Sequence, residues 1–385
     1  MEKLKIATAG ESHGPGMIGV ISGIPSGVAI SEDYVNSFLA QRRLAPGRSS
    51  RMGQEADTCE ILSGLRKGLS IGSPVAILVR NSSTEKWDAP PAKHPRPGHA
   101  DWPGALKRGF GDLRDVWERA SARATVATTA LGAVAARTLE ELGVNLFSYI
   151  ERIGPVSASV PESLGARIAL AGESVISCPD PEAGLKMLEA IESAREKGTT
   201  LGGVFVVGAM GLPPGLGDYT EPEKRLDGRI AGWLVSIPAV RAVEIGEGIA
   251  QAGMEGHEAM DGFTVKEKGG RVERTGNLSG GIEGGMTNGQ PVLARCWVKP
   301  VPTQGDPLPS FDIGTFEPGP ALSERGDVCA APAAAVVARG ILALVLLDSL
   351  LAKFGGDSLG EVKERLAAYR GAPLTKGLDR PPQNS

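Results

Sequence analysis

The sequence predicts a fold of mixed helix and strand built as two similar halves, and three observations carry that prediction. Short strand-like runs punctuated by glycine and proline recur along the chain. Two long alanine-rich stretches, Leu113 to Leu142 and Pro332 to Phe354, repeat apolar residues at helical spacing. Each follows a charged segment, Arg96 to Arg123 in the first case and Glu324-Arg325-Gly326-Asp327-Val328-Cys329 in the second. The same organisation thus occurs twice, although length alone, 385 residues, favours two or three domains.

In order, Leu4 to Ala9 reads as a strand, Gly10-Glu11-Ser12-His13-Gly14 as a hairpin-like bend, and Met17 to Ser22 as a second strand. Ser31 caps a helix with acids in its first turn, Val35, Phe38 and Leu39 on its apolar side and Arg42-Arg43 in its last turn. A basic loop with Arg48 and Arg51 follows, then strand-like runs from Ile61 to Val79 and a proline-rich polar loop to Pro97. From Leu113 one helix is expected to run to Leu142, with Gly143 as its stop and Arg119 and Arg123 sharing a face. Val144 to Ile153 is a strand, Glu182 to Lys197 an amphipathic helix, Gly202 to Met210 a strand and Glu221 to Leu234 a helix. The glycine-rich segment Gly276 to Asn288 lacks a following helix, so it is neither a dinucleotide fingerprint nor a P-loop. Pro291 to Val298 is a strand leading to Lys299-Pro300-Val301-Pro302-Thr303, and Pro332 suits the first turn of the last core helix. The tail after Gly371 is expected to be disordered.

Composition narrows the function. Hydrophobic residues make up 41% and charged residues 22%, ordinary for a globular chain, while Gly 53 and Pro 28 announce many turns. A net charge of −4 argues against nucleic-acid binding, so a polyanionic ligand must be met by a local cluster of arginines. Cys59, Cys178, Cys296 and Cys329 are scattered, as expected of reduced thiols. The apolar run Val336 to Leu351 contains Arg339 and Asp348, which favours a buried helix over a membrane span. No secretory leader pattern is visible, and a cytoplasmic protein is the expectation.

The segment Arg96-Pro97-Gly98-His99-Ala100-Asp101, continuing to Glu118-Arg119-Ala120-Ser121-Ala122-Arg123, reads as the active-site stretch, because loop side chains at a helix start can converge on an anion. His13, His99 and Asp327 join Arg42, Arg43, Arg48, Arg51, Arg96, Arg119, Arg123 and Arg325 as polar residues on glycine-flanked loops. Arginine forks bind carboxylates and phosphates, and two histidines can exchange protons near neutrality. A metal site at His94 and His99 lacks an acid cluster, so no metal is expected, and His257 reads as surface. Adjacent Ser12 and His13 point apart in an extended turn, against serine nucleophile chemistry.

Gly10-Glu11-Ser12-His13-Gly14, Arg96 to Asp101 with Glu118 to Arg123, and Arg325-Gly326-Asp327-Val328-Cys329 together resemble the three signature regions of the chorismate synthase family, with a likeness running from about Leu4 to Phe354. That resemblance implies an α+β fold: a single β-α-β sandwich over residues 1–371, central helices between antiparallel sheets, pseudo-duplicated halves, and a homotetramer. It implies anti-1,4-elimination of phosphate from 5-enolpyruvylshikimate 3-phosphate to give chorismate, with reduced FMN required but no net redox change. His13 would protonate the departing phosphate, His99 would stabilise or protonate the reduced flavin, and Asp327 would assist the flavin in accepting the ring proton. Arg42 or Arg43, with Arg48, Arg51, Arg96 and Arg123, would hold the substrate, at positions also credited with a pyridine nucleotide. Arg119, Ala120, Ser121, Pro238, Ala239, Gly284, Lys299, Pro300, Val301, Pro302, Thr303 and Arg325 would contact the flavin. With no inserted nucleotide-binding unit, NADPH would act only through an external flavin reductase. The chain departs from the family pattern at Ala124 and Arg339, where acids are usual, in the length of the glycine segment and around Leu44 to Gly47. A non-catalytic flavin- or anion-binding protein on the same fold is the alternative.

Overall fold

The computed structural model describes residues 1–49, 57–82, 89–267, 271–323 and 326–371. Its first sheet holds β1 (Lys5–Gly10), β2 (Gly16–Ser22), β3 (Cys59–Ser63) and β4 (Val75–Arg80), in the order β1-β2-β4-β3. The second holds β5 (Asn145–Ile153), β6 (Val156–Ser157), β7 (Gly203–Met210), β8 (Val240–Ile245) and β9 (Val292–Val298), in the order β8-β9-β7-β5-β6. Every pairing in both sheets is antiparallel. Between them lie α1 (Glu32–Leu44), α4 (Thr125–Glu141) and α8 (Ala331–Phe354), with α2 (Asp101–Arg108) and α3 (Arg114–Ala120) leading into α4. Further helices are α5 (Leu164–Glu173), α6 (Pro181–Glu196), α7 (Leu226–Val235) and α9 (Leu359–Gly371). The fold is α+β, helices between antiparallel sheets, and each half runs a sheet into an alanine-rich helix.

The local chemistry explains these elements. Ser31 caps α1 by accepting the Tyr34 N–H at 3.2 Å, and Glu32 and Asp33 complement the dipole. In β9 the burial alternates residue by residue, as a sheet with two unlike faces requires. Helix α8 is apolar all round and long enough to cross a membrane by composition, but 94% of its most apolar window is buried inside the fold. One apolar cluster runs from Leu4 to Leu366 through both halves, with two smaller satellites, in place of the separate cores that length suggested.

Two features hold the centre together. Helices α4 and α8 cross at Gly132 and Gly340, where a Cβ on Gly132 would stand 2.3 Å from the Gly340 Cα, so the backbones touch. Asp348, fully buried on α8, accepts the N–H groups of Glu2, Lys3 and Leu4 at 2.9, 2.8 and 2.7 Å and pairs with Arg229. Burial pushes its pKa up, but these hydrogen bonds outweigh burial and hold the carboxyl below its ordinary range.

Several expectations change. The helix expected from Leu113 to Leu142 is broken at Ser121, whose ψ of 143° is extended, and a short 3-10 turn, Ala122–Ala124, precedes α4. Arg119 and Arg123 therefore do not share a face. The helix expected from Glu221 is likewise split into a 3-10 turn, Pro222–Lys224, and α7. Helices α2, α5 and α9 and strand β8 are additions that short or weakly periodic segments concealed. The tail 372–385 lies outside the described residues.

Placing a methyl group at the α4–α8 crossing forces backbone movement in a close-packed core. Gly132→Ala is expected to lower the unfolding free energy by about 1–3 kcal/mol, measured as a drop in urea midpoint at constant m-value.

Candidate active site

A cavity of about 430 Å³ lies where α4 and α8 begin. Ala122 and Arg123, ahead of α4, and Ala330, ahead of α8, line it together with the β1–β2 turn. Neither helix has a side-chain cap of its own, and the two helix dipoles favour negative charge at this end of the fold.

Both candidate histidines line the cavity, and each has its Nδ1 held by a carboxylate. His13 Nδ1 lies 2.6 Å from Glu118 Oε1, while the His13 backbone N–H donates to Oε2 at 2.7 Å. Burial would raise the Glu118 pKa, but the His13 hydrogen bonds lower it. His99 Nδ1 lies 2.5 Å from Asp101 Oδ1, and Asp101 is fully buried. Arg96 grips the same carboxylate through Nε at 2.8 Å and a terminal nitrogen at 3.0 Å, with its guanidinium 4.9 Å over the Trp117 ring. Against the cost of burial, these partners keep Asp101 well below the usual carboxylate range. In both histidines Nε2 is the ring nitrogen left for a ligand.

The arginines are held by acids, of which Asp57 was not among the sequence candidates. Arg42, 1% exposed, donates to Thr125 Oγ1 at 3.0 Å, the Ala122 carbonyl at 2.9 Å and Asp57 at 3.3 Å. Arg123 pairs with the other Asp57 oxygen and with Asn81 Oδ1 at 2.9 Å. Arg48 meets Asp327 at 2.5 Å, and Asp327 also accepts the Ser49 N–H at 3.0 Å. Burial, then repulsion from Arg48, pulls the Arg42 pKa down to about 9, still charged at neutrality. Like charges held this close are relieved by an anion. Arg48 Nε is buried with no hydrogen-bond partner among the described residues, an orphan donor in a cation-lined cavity.

Beside the cations the wall turns apolar. Ala120 and Ser121 line it, as do Pro238, Ala239, Val301 and Pro302. Ala239 adopts a left-handed φ of 72° and its carbonyl accepts the Lys299 N–H at 2.9 Å. Thr303 Oγ1 accepts from Arg96 at 3.1 Å, and Lys299 Nζ donates to the Gly98 carbonyl at 2.5 Å. Burial lowers the Lys299 pKa.

Other expected residues fall elsewhere. Arg43 and Pro300 do not line the cavity, which leaves Arg42 as the α1 arginine in its wall. Arg119 turns to the β1 backbone, donating to the Thr8 and Gly10 carbonyls at 3.1 and 3.0 Å, and lines a neighbouring cavity of about 280 Å³. Gly284 sits in a hairpin outside both cavities. Arg51 and Arg325 lie outside the described residues. The four cysteines are buried free thiols, His257 is exposed, and no metal-binding group of three or more His, Cys, Asp or Glu occurs among the described residues.

The cavity is thus lined by cations, with two acid-held histidines and an apolar flank. A family model described as chorismate synthase matches residues 4–351. The chain belongs to the chorismate synthase family. Chorismate synthase of Desulforudis audaxviator is 48% identical over 383 residues, covering 95% of this chain and 97% of that protein. The Moorella thermoacetica chorismate synthase is 47% identical, covering 95% and 98%. A crystal structure of chorismate synthase superposes with a TM-score of 0.78 at 37% identity, covering 95% of this chain and 97% of that one. Membership makes the chain an enzyme and places its departures in context. Ala124 lines the neighbouring cavity and Arg339 bonds to Gln41 above the Phe38 ring, so neither lines the larger cavity.

Asp57, 5% exposed, is the shared counter-ion of Arg42 and Arg123. Asp57→Ala is expected to cost about 3–5 kcal/mol of stability by removing the carboxylate that two buried guanidiniums share. Thermal denaturation checks it, and inorganic phosphate should raise the variant's melting temperature more than the wild type's.

Proposed function

We propose that the chain converts 5-enolpyruvylshikimate 3-phosphate to chorismate, a carbon–oxygen lyase reaction in which a ring proton and phosphate leave anti across an allylic system. The observation that carries this reading is one cavity in which Arg42, Arg48, Arg96 and Arg123 surround two histidines with carboxylate-held Nδ1 atoms, in a chain of this family. The substrate carries a phosphate and two carboxylates, and bidentate guanidinium contacts orient such groups. In a water-poor cavity the Coulomb attraction to the departing phosphate is strengthened, which lowers the barrier to breaking the carbon–oxygen bond.

Within this reading His13 Nε2 donates a proton to the leaving phosphate, since Glu118 occupies Nδ1. His99, fixed by Asp101 and Arg96, holds a proton beside the cofactor position. Asp327, the carboxylate lining the cavity among the described residues, helps draw off the ring proton while Arg48 and the Ser49 N–H keep it oriented. The cation set and the apolar wall of Pro238, Ala239, Val301 and Pro302 fit a phosphorylated flat ring, and the orphan Arg48 Nε fits an anionic group. Reduced FMN, when bound, supplies electron density to the substrate without net redox change. Ala120, Ser121, Lys299 and Thr303 are the further residues that would hold it. Reduced flavin comes from an external reductase using NADPH, and the enzyme works in the cytoplasm as a homotetramer. The non-catalytic alternative gains no support, because its motivating residues, Ala124 and Arg339, do not line the main cavity.

Anaerobic assay with reduced FMN and the enolpyruvyl substrate is expected to release phosphate, with His13→Ala and His99→Ala each slower by about 10²–10⁴-fold. Wild-type rates in either variant overturn that histidine's role, and tight FMN binding without turnover favours the binder. NADPH added to the pure protein with oxidised FMN is expected to leave the flavin absorbance unchanged, and bleaching would show an intrinsic reductase.

A further inference from the structure

Glu118 belongs to α3, yet most of its polar contacts reach the turn between β1 and β2. Its backbone carbonyl accepts the Ser12 N–H at 2.8 Å, its Oε2 accepts the His13 N–H at 2.7 Å, and its Oε1 lies 2.6 Å from His13 Nδ1. The side chain is 12% exposed and His13 is 18% exposed, so the pair meets in a largely dry wall. Neighbouring Trp117 lies under the Arg96 guanidinium, and Arg119 is tied to Thr8 and Gly10 on β1. The residues either side of Glu118 are therefore anchored too, and its backbone has little freedom to withdraw.

We infer that Glu118 is the positioning residue of the proton-donating histidine: it fixes the His13 ring in the tautomer and orientation that leave Nε2 for the departing phosphate. This rests on the elimination reading above. The chemistry follows from counting donors. A carboxylate offers two acceptor oxygens, and the turn presents two donors, the His13 N–H and Nδ1–H. Both are satisfied only when the ring proton sits on Nδ1. The same carboxylate steadies the imidazolium formed when Nε2 is also protonated, the state from which it acts as an acid. Glutamine at this position offers one acceptor and one amide donor. With its oxygen on the His13 N–H, its NH₂ faces Nδ1, and the neutral ring must carry its proton on Nε2 instead.

The test uses full-length Glu118→Gln, His13→Ala, the double variant and Glu118→Asp. In Glu118→Gln, kcat is expected to fall about 10²-fold with KM for the enolpyruvyl substrate within about threefold. In the His13→Ala background the same change should cost less than about twofold, since its effect passes through the ring. Nitrogen-15 NMR of the His13 ring, which needs no turnover, should show the proton on Nδ1 in the neutral wild type and on Nε2 in Glu118→Gln. Glu118→Asp keeps a carboxylate and should recover about tenfold of the lost kcat, which retains a test if the glutamine variant fails to fold. Additive losses in the double variant, an unchanged tautomer, or an aspartate variant no better than glutamine overturn the inference. Absence of turnover by the wild type overturns the reaction assignment instead, and the NMR comparison still decides the role of Glu118.

Discussion

Everything in this molecule hangs on the close crossing of α4 and α8. Gly132 and Gly340 bring the two backbones into contact, and both helices begin at the same cavity. That contact sets how far apart Arg123, just ahead of α4, and Asp327, just ahead of α8, can stand. The two sheets then serve as outer walls. They bury the remaining faces of the helices and contribute the His13 turn from one side and Lys299 to Thr303 from the other. A site assembled from distant loops needs a rigid reference, and a glycine-to-glycine helix contact supplies one because it has no side chains to repack.

The electrostatics follow a second constraint. Among the described residues five cationic side chains line the cavity, Arg42, Arg48, Arg96, Arg123 and Lys299, and each of these arginines is tethered by a carboxylate: Asp57 for two of them, Asp101 and Asp327 for the others. Tethering lowers the cost of holding guanidiniums out of water and fixes their direction, so less ordering remains when the ligand arrives. It does not cancel the field. Burial first, then repulsion from Arg48, keeps the Arg42 pKa low, and Arg48 Nε has no hydrogen-bond partner among the described residues, so an incoming anion would meet favourable charge and an open donor. A chain of net charge −4 thereby concentrates positive potential at one point.

Which parts of this were legible follows from how each signal is written. Helix periodicity, capping at Ser31 and glycine stops are local, and α1, α6 and α8 emerged within a few residues of their observed limits. His13, His99 and Arg96 stood out because glycines and prolines mark the loops that carry them. Asp57 and Glu118 gave no such mark. Asp57 joins Arg42, 15 residues away, to Arg123, 66 residues away, and Glu118 meets His13 across 105, so only the folded chain makes the pairs. The break at Ser121 was also hidden, since alanine and arginine on either side are strong helix formers. There tertiary contacts override propensity: Ser12 Oγ meets Ser121 Oγ at 3.2 Å, and the Ser121 side chain accepts the Arg123 N–H.

That break determines the division of labour. Had the helix continued through Ser121, Arg119 and Arg123 would have pointed the same way, doubling the charge at one wall and leaving β1 untethered. The extended ψ at Ser121 instead sends Arg119 to the β1 carbonyls and Arg123 to Asp57 in the cavity. It also leaves Glu118 one turn below, on the helix that faces the His13 turn. Six consecutive residues, Glu118 to Arg123, thus brace the histidine, anchor the strand, separate the two cavities and present a guanidinium to the larger one. A regular helix would keep residues 119 and 123, four apart, on one face, and the interruption is what lets these two arginines serve different walls.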